Sequence, residues 1–177
     1  MQGNVYLIGL MGAGKTTVGR KLAKLLLLDF IDIDQLVEQR TGVSISHIFE
    51  IEGESGFRDR ESKLLAEISD GRQAVISTGG GIILRPENRL VMRKHGQVVY
   101  LQASLKILWQ RLRNCQTRPL LQQLDPKAKL TQLMLERDPL YVDEADIIVE
   151  VSSDSASKTA RKIYPLITLT NCPARDT

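Results

Sequence analysis

Short apolar runs alternate along the chain with longer stretches in which apolar positions recur every three or four residues. Asn4–Leu10 is a compact apolar run closing on glycine and predicts a buried strand. Lys15–Leu28 then places Val18, Leu22, Leu25 and Leu26 on one stripe, the spacing of an amphipathic helix. Phe30–Asp34 alternates apolar and acidic residues, which predicts a strand with its carboxylates on one face. A helix over Asp34–Thr41 is expected to stop at Gly42, a suitable C-terminal cap. A short helix over Ser44–Ile51 and a longer one from about Gly53 follow, the second with Phe57, Leu64, Leu65 and Ile68 on one face.

The second half repeats the rhythm. Ala74–Thr78 reads as a strand running into Gly79, Gly80 and Gly81, and Pro86 suits the first turn of a helix through about Lys94. Gln97–Leu101 is a further strand, followed by a helix over Ser104–Arg113. Asn114–Asp125 has no period and reads as a loop, and Pro126 opens a helix through Arg137. Asp146–Val151 is the last strand and Ser155–Leu169 the last helix. Strands alternating with helices in this way predict a parallel sheet covered on both faces, in a single domain spanning residues 1–177.

Composition changes this picture little. The chain has 177 residues, enough for one proper core, with 42% hydrophobic and 25% charged residues. A formal net charge of +3 gives no reason to expect nucleic acid as a partner. Cys115 and Cys172 form no paired motif and suggest free thiols in a reducing cytoplasm. No signal peptide is expected at the start, and the leucine run Leu25–Leu28 is too short to span a bilayer, so no membrane partner is expected.

The decisive chemistry is in the first loop. Gly9 to Thr16 fits G-x-x-x-x-G-K-S/T, placed between a buried strand and a helix. Glycines at these positions let successive backbone N–H groups turn toward one phosphate chain, so Gly12, Ala13, Gly14, Lys15, Thr16 and Thr17 are candidate ATP contacts. Lys15 offers a point charge to the outer phosphates, and Thr16 a hydroxyl to Mg2+. Asp32 and Asp34, two apart on the predicted strand, are expected on one face at the sheet edge where ligands bind. There a carboxylate can hold Mg2+, directly or through water, or take the proton of an acceptor hydroxyl. The three glycines Gly79–Gly81 allow close approach of backbone to ligand. Among the arginines, Arg58, Arg60, Arg111, Arg118 and Arg137 are candidates for carboxylate or phosphate contacts, and Arg118 stands in a loop able to close over ATP.

Together these pieces resemble the shikimate kinase family over nearly the whole chain. The resemblance rests on GLMGAGKTTVGRKLA at Gly9–Ala23, DFIDID at Asp29–Asp34, IFEIEGESGFRDRE at Ile48–Glu61, STGGGII at Ser77–Ile83, RPLL at Arg118–Leu121 and ERDPLYVDEAD at Glu136–Asp146. It implies a three-layer P-loop NTPase fold of the nucleoside-monophosphate-kinase type, with a five-stranded parallel sheet, a lid at about residues 112–125 and a substrate-binding region at about 33–61. It also implies ATP-dependent phosphorylation of the 3-hydroxyl of shikimate, with Mg2+, by a monomer. Lys15, Asp34 and Arg118 would be catalytic, and Arg111 would pack near the adenine. Arg58 and Arg137 would grip the shikimate carboxylate, with Gly79, Gly80 and Gly81 beside the substrate. Thr16 would hold Mg2+, with Asp32 reaching it through water. The loop after the last strand, Ser152 to Ser155, lacks the Arg or Asn that members of the family often carry near the adenine. Another small-molecule kinase of this fold, such as a gluconate kinase, or a non-catalytic nucleotide switch, are the alternatives.

Overall fold

A computed structural model describes residues 3–71, 73–113, 125–152 and 154–169. Arg118, both cysteines and most of the expected lid lie outside these residues.

Five parallel strands form one sheet in the order β2-β3-β1-β4-β5: β1 Asn4–Ile8, β2 Asp29–Asp32, β3 Ala74–Ser77, β4 Gly96–Ala103 and β5 Ile147–Val151. The central strand β1 pairs Val5 with Val75 on one side and Tyr6 with Val98 on the other. All of β1 is buried, as is all of β3. Successive side chains of a strand point to opposite faces, so both faces of the sheet are covered. That is why these strands read as unbroken apolar runs. The edge strand β5 instead alternates, with Ile148 and Glu150 exposed.

Among the described residues seven α-helices flank the strands: α1 Lys15–Leu26, α2 Ile33–Thr41, α3 Ile45–Ser69, α4 Pro86–His95, α5 Leu105–Leu112, α6 Pro126–Glu144 and α7 Ala156–Leu169. A 3-10 turn, Ile82–Leu84, precedes α4. Helix α1 packs on α7, β2 and β3, while α4 packs on α3 and β4. Because β1 lies between β3 and β4, the chain reverses its lateral direction there, and a crevice opens beyond the carboxyl ends of these strands. The loop after β1, Asp32 and Asp34 at the end of β2, and Gly79–Gly81 after β3 all follow the carboxyl end of a strand at this crevice.

Three expectations need correction. Strand β2 ends at Asp32, so Asp34 is not on the strand and does not cap the helix. Asp32 is the cap: its side chain accepts the Gln35 N–H at 3.3 Å, and Asp34 sits in the first turn of α2. An acidic cap followed by an acidic first turn suits the positive end of a helix, which draws the chain out of the strand earlier than the alternation suggests. Helix α6 continues through Pro139 to Glu144 instead of stopping at Arg137. The hydrogen bond that Pro139 cannot donate belongs to the turn at Leu135, which is 75% exposed, so water can replace it. Helix α1 ends at Leu26, not Leu28, because Leu27 adopts the left-handed conformation as a cap (φ 57°). The expected break near Gly53 is present as an interruption within α3, where Gly53 has φ 70°. Among the described residues no helix is long and apolar enough to cross a membrane.

Candidate active site

The loop after β1 has the form its sequence demands. Gly14 caps α1 with φ 99°, a conformation that costs an L side chain energy, and its carbonyl accepts the Val18 N–H at 2.9 Å. Lys15 is buried, with Nζ donating to the carbonyls of Gly9 at 2.6 Å and Leu10 at 3.0 Å. Thr16 Oγ1 donates to Asp32 Oδ2 at 2.7 Å. These groups line a cleft of about 400 Å³, which runs from Asp34 and Gly80 at one end to Asp154 and Thr159 at the other. The cleft is large enough for a nucleotide. Asp34 therefore does reach the site predicted for it, but from a helix turn.

Arg111 bridges two walls of this cleft. Its Nη1 donates to the carbonyls of Gly12 at 2.9 Å and Ala13 at 3.2 Å, and its Nη2 to that of Ser152 at 3.4 Å. The loop after β5 supplies Asp154, whose carboxylate accepts from Lys158 at 2.8 Å and Lys162 at 2.9 Å. Those lysines hold the Asp154 carboxyl well below the usual carboxylate range.

Around the glycine triplet a second constellation assembles. Gly80 faces the large cleft, and its neighbours leave room for buried side chains. A Cβ on Gly79 would collide with Glu61 Oε1 and stand 3.1 Å from Asp34 Oδ1. A Cβ on Gly81 would overlap the Arg58 guanidinium. The middle glycine lines the cleft, and the outer two leave room for the α3 side chains Glu61 and Arg58.

Arg58 is buried, and each of its three nitrogens meets a carboxylate oxygen. Nη1 meets Glu61 Oε2 at 2.6 Å, while Nη2 and Nε both donate to Glu54 Oε1, at 3.0 and 3.3 Å. Burial disfavours its charge, but Glu61 and Glu54 outweigh that and hold its pKa above the ordinary value. Glu61 is buried, and burial raises its carboxyl pKa against the opposing pull of Arg58. Its Oε1 has no hydrogen-bond partner among the described residues, and neither has Arg137 Nε. Arg137 Nη1 donates to the Gly80 carbonyl at 3.2 Å, and the Tyr141 phenol donates to the same oxygen. Burial keeps that phenol protonated, so it remains a donor. Arg58 and Arg137 share a second cavity, of about 280 Å³, which has no lining residue in common with the larger cleft.

Arg60 takes no part: it is paired with Glu52 at 2.7 Å on the surface. Glu61, Glu54 and Tyr141 were not singled out from sequence. The i, i+3 spacing of Arg58 and Glu61 and the i, i+4 spacing of Glu54 and Arg58 were the available signals. The link from Tyr141 to Gly80 spans 61 residues and leaves none.

A phosphate-binding loop facing a separate pocket with two buried guanidinium groups and a carboxylate defines a P-loop kinase of the α/β class. A family model described as shikimate kinase matches residues 11–168. A shikimate kinase from Nitrosospira multiformis is 47% identical over 96% of this chain and 87% of its own length. One from Burkholderia thailandensis is 53% identical over 87% of this chain and 84% of its own. The solved structure of shikimate kinase from Acinetobacter baumannii in complex with shikimate superposes with a TM-score of 0.94 at 43% identity, covering 98% of this chain and 97% of that one. The chain belongs to the shikimate kinase family.

Proposed function

We propose that this chain transfers the γ-phosphoryl group of ATP to the 3-hydroxyl of shikimate, acting as a cytoplasmic monomer in aromatic amino-acid biosynthesis, with neither nucleic acid nor membrane as a partner. The observation that carries the reading is the pair of buried guanidinium groups, Arg58 and Arg137, lining one cavity, with Arg137 bonded to the Gly80 carbonyl and Gly80 and the Asp34 carboxylate lining the larger cleft. A small acid with hydroxyl groups on the opposite side of its ring spans that arrangement.

In this reading Arg58 and Arg137 bind the substrate carboxylate, and Gly79 to Gly81 form the floor beneath the ring. Asp34 orients the attacking hydroxyl. The hydroxyl oxygen forms a bond to the γ-phosphorus as the bond from that phosphorus to the β,γ-bridging oxygen breaks, and the hydroxyl proton passes to the Asp34 carboxylate. Residues Gly12 to Thr17 hold the phosphates, and Lys15 leaves its loop carbonyls to neutralise charge on the moving group. Arg111 stands beside the base. Arg118 is assigned to the phosphates on the family resemblance alone. Phosphoryl transfer asks the protein for alignment and charge more than for covalent chemistry, and this set supplies both.

Mg2+ fits the residues present. The Thr16 hydroxyl and Asp32 carboxylate are hard oxygen donors already in contact, and Mg2+ typically takes only one or two protein oxygens beside phosphates and water. Thr16 would bind it directly and Asp32 through water, and when bound it neutralises charge on the phosphates.

The test is the effect of Arg58→Ala and Arg137→Ala on shikimate kinetics. Each removes a charged hydrogen-bonding partner worth about 1.5–3 kcal/mol, so each should raise the shikimate KM roughly 10- to 100-fold while leaving the ATP KM nearly unchanged. An unaltered shikimate KM in either variant would remove that residue from the acceptor site.

A further inference from the structure

Arg58 reaches the proposed substrate cavity with each of its nitrogens already on a carboxylate oxygen. A guanidinium group presents two N–H forks to a carboxylate, and a planar carboxylate binds best when it takes one whole fork. Glu61 holds Nη1, and Glu54 Oε1 holds the Nε–Nη2 fork. A substrate carboxylate that takes the Nε–Nη2 fork must displace Glu54.

The two are held very differently. Glu61 is completely buried, and its contact with Arg58 is the shorter, at 2.6 Å. The Glu54 side chain is 42% exposed and its two contacts are longer, at 3.0 and 3.3 Å. It is the first residue after the break at Gly53, so its backbone begins a new helical segment instead of sitting inside a formed turn. Glu54 also lines the same cavity as Arg58 and Arg137, which places it where an incoming carboxylate arrives. A glutamate so exposed regains its hydration on leaving, whereas Glu61 has no water to go to.

We infer that Glu54 is an internal stand-in for the substrate carboxylate, occupying the outer fork of Arg58 until the substrate displaces it. The inference rests on the reading that this cavity receives the carboxylate of the acceptor. It makes Glu54 a specificity-determining residue. The guanidinium group is kept paired and correctly aimed while the cavity is empty, and an acceptor without a carboxylate has nothing to exchange for Glu54. The cost is that every productive binding event competes with an intramolecular anion.

The sign of the consequence is unusual for a residue in a binding pocket: removing its charge should improve substrate binding. Glu54→Gln should lower the shikimate KM about two- to fivefold, the range set by a partly exposed ion pair, with kcat and the ATP KM unchanged within twofold. The gain should shrink in high salt, since the competing pair is screened. Shikimate binding to the same variant by titration calorimetry, with no ATP present, should tighten by a similar factor. Glu54→Ala serves as a second variant and should move both readouts the same way. A residue that merely supports α3 would lower the melting temperature and leave both readouts unmoved. An unchanged or raised KM together with unchanged or weaker binding would overturn the inference. Wild-type protein that neither binds nor phosphorylates shikimate would instead overturn the substrate reading beneath it, a separate and distinguishable failure.

Discussion

The guanidinium group of Arg58 occupies the space where a Cβ on Gly81 would stand. The two residues lie on different elements, α3 and the segment after β3, and the glycine is what lets the arginine reach the cavity. Gly81→Ala should push Arg58 off its aim without preventing folding, because the group displaced is the end of a long side chain. Overpacking of this kind costs about 1–3 kcal/mol. The expected result is a shikimate KM raised at least about tenfold with the ATP KM unchanged, measured by steady-state kinetics. Normal shikimate kinetics in a folded Gly81→Ala protein would show that the position of Arg58 does not matter.

Lys15 donates to two carbonyls of its own loop. Its proposed work begins only when phosphate replaces them. Lys15→Ala should therefore cut kcat by roughly 100-fold or more, a loss of transition-state stabilisation of about 2.7 kcal/mol or greater. Thermal unfolding should place the fold within about 1 kcal/mol of wild type, the scale of exchanging loop hydrogen bonds. A loss of activity matched by a collapse of the melting transition would assign the residue to structure.

Burial holds the Glu61 carboxyl above the ordinary carboxylate range, with Arg58 pulling the other way. Falling pH thus protonates Glu61 before it protonates an exposed glutamate, and the neutral group loses its ion pair with Arg58. The shikimate KM should rise as pH falls through that elevated value and level off above it. Stability has the opposite sign for this group. The folded state binds its proton more tightly than the unfolded chain, so its contribution is present at acid pH and lost as pH rises through the folded value. Glu61→Gln carries no charge at any pH and should remove the acid limb of the KM profile. The same limb persisting in the variant would assign it to another group.

Much of this molecule was legible in its residues because period and punctuation are local. Strands β1 and β3 are buried on both faces and announce themselves as apolar runs, and Gly53 marks the interruption of α3 through its left-handed conformation. Ends of elements were less legible where capping decided them. Asp32 closes β2 and also caps α2, so Asp34 falls in the first helical turn and the two share no strand face, although both reach the cleft. Three consecutive glycines predict close approach of backbone to a ligand and say nothing of the room the outer two leave for side chains. That Gly79 and Gly81 yield space to Glu61 and Arg58 depends on how α3 crosses the sheet edge, and no local pattern encodes that crossing. For the same reason the hold of Tyr141 on the Gly80 carbonyl could be seen only in the folded chain.

The central claim is that the cleft and the second cavity serve one reaction, with a carboxylate-bearing acceptor. The most direct measurement is acceptor-dependent ADP release from Mg-ATP, comparing shikimate, gluconate and nucleoside monophosphates at equal concentration. The prediction is one ADP formed per shikimate consumed, with little release above the acceptor-free background for the others. Equal release without any acceptor, or faster turnover with gluconate or a nucleotide, would contradict it.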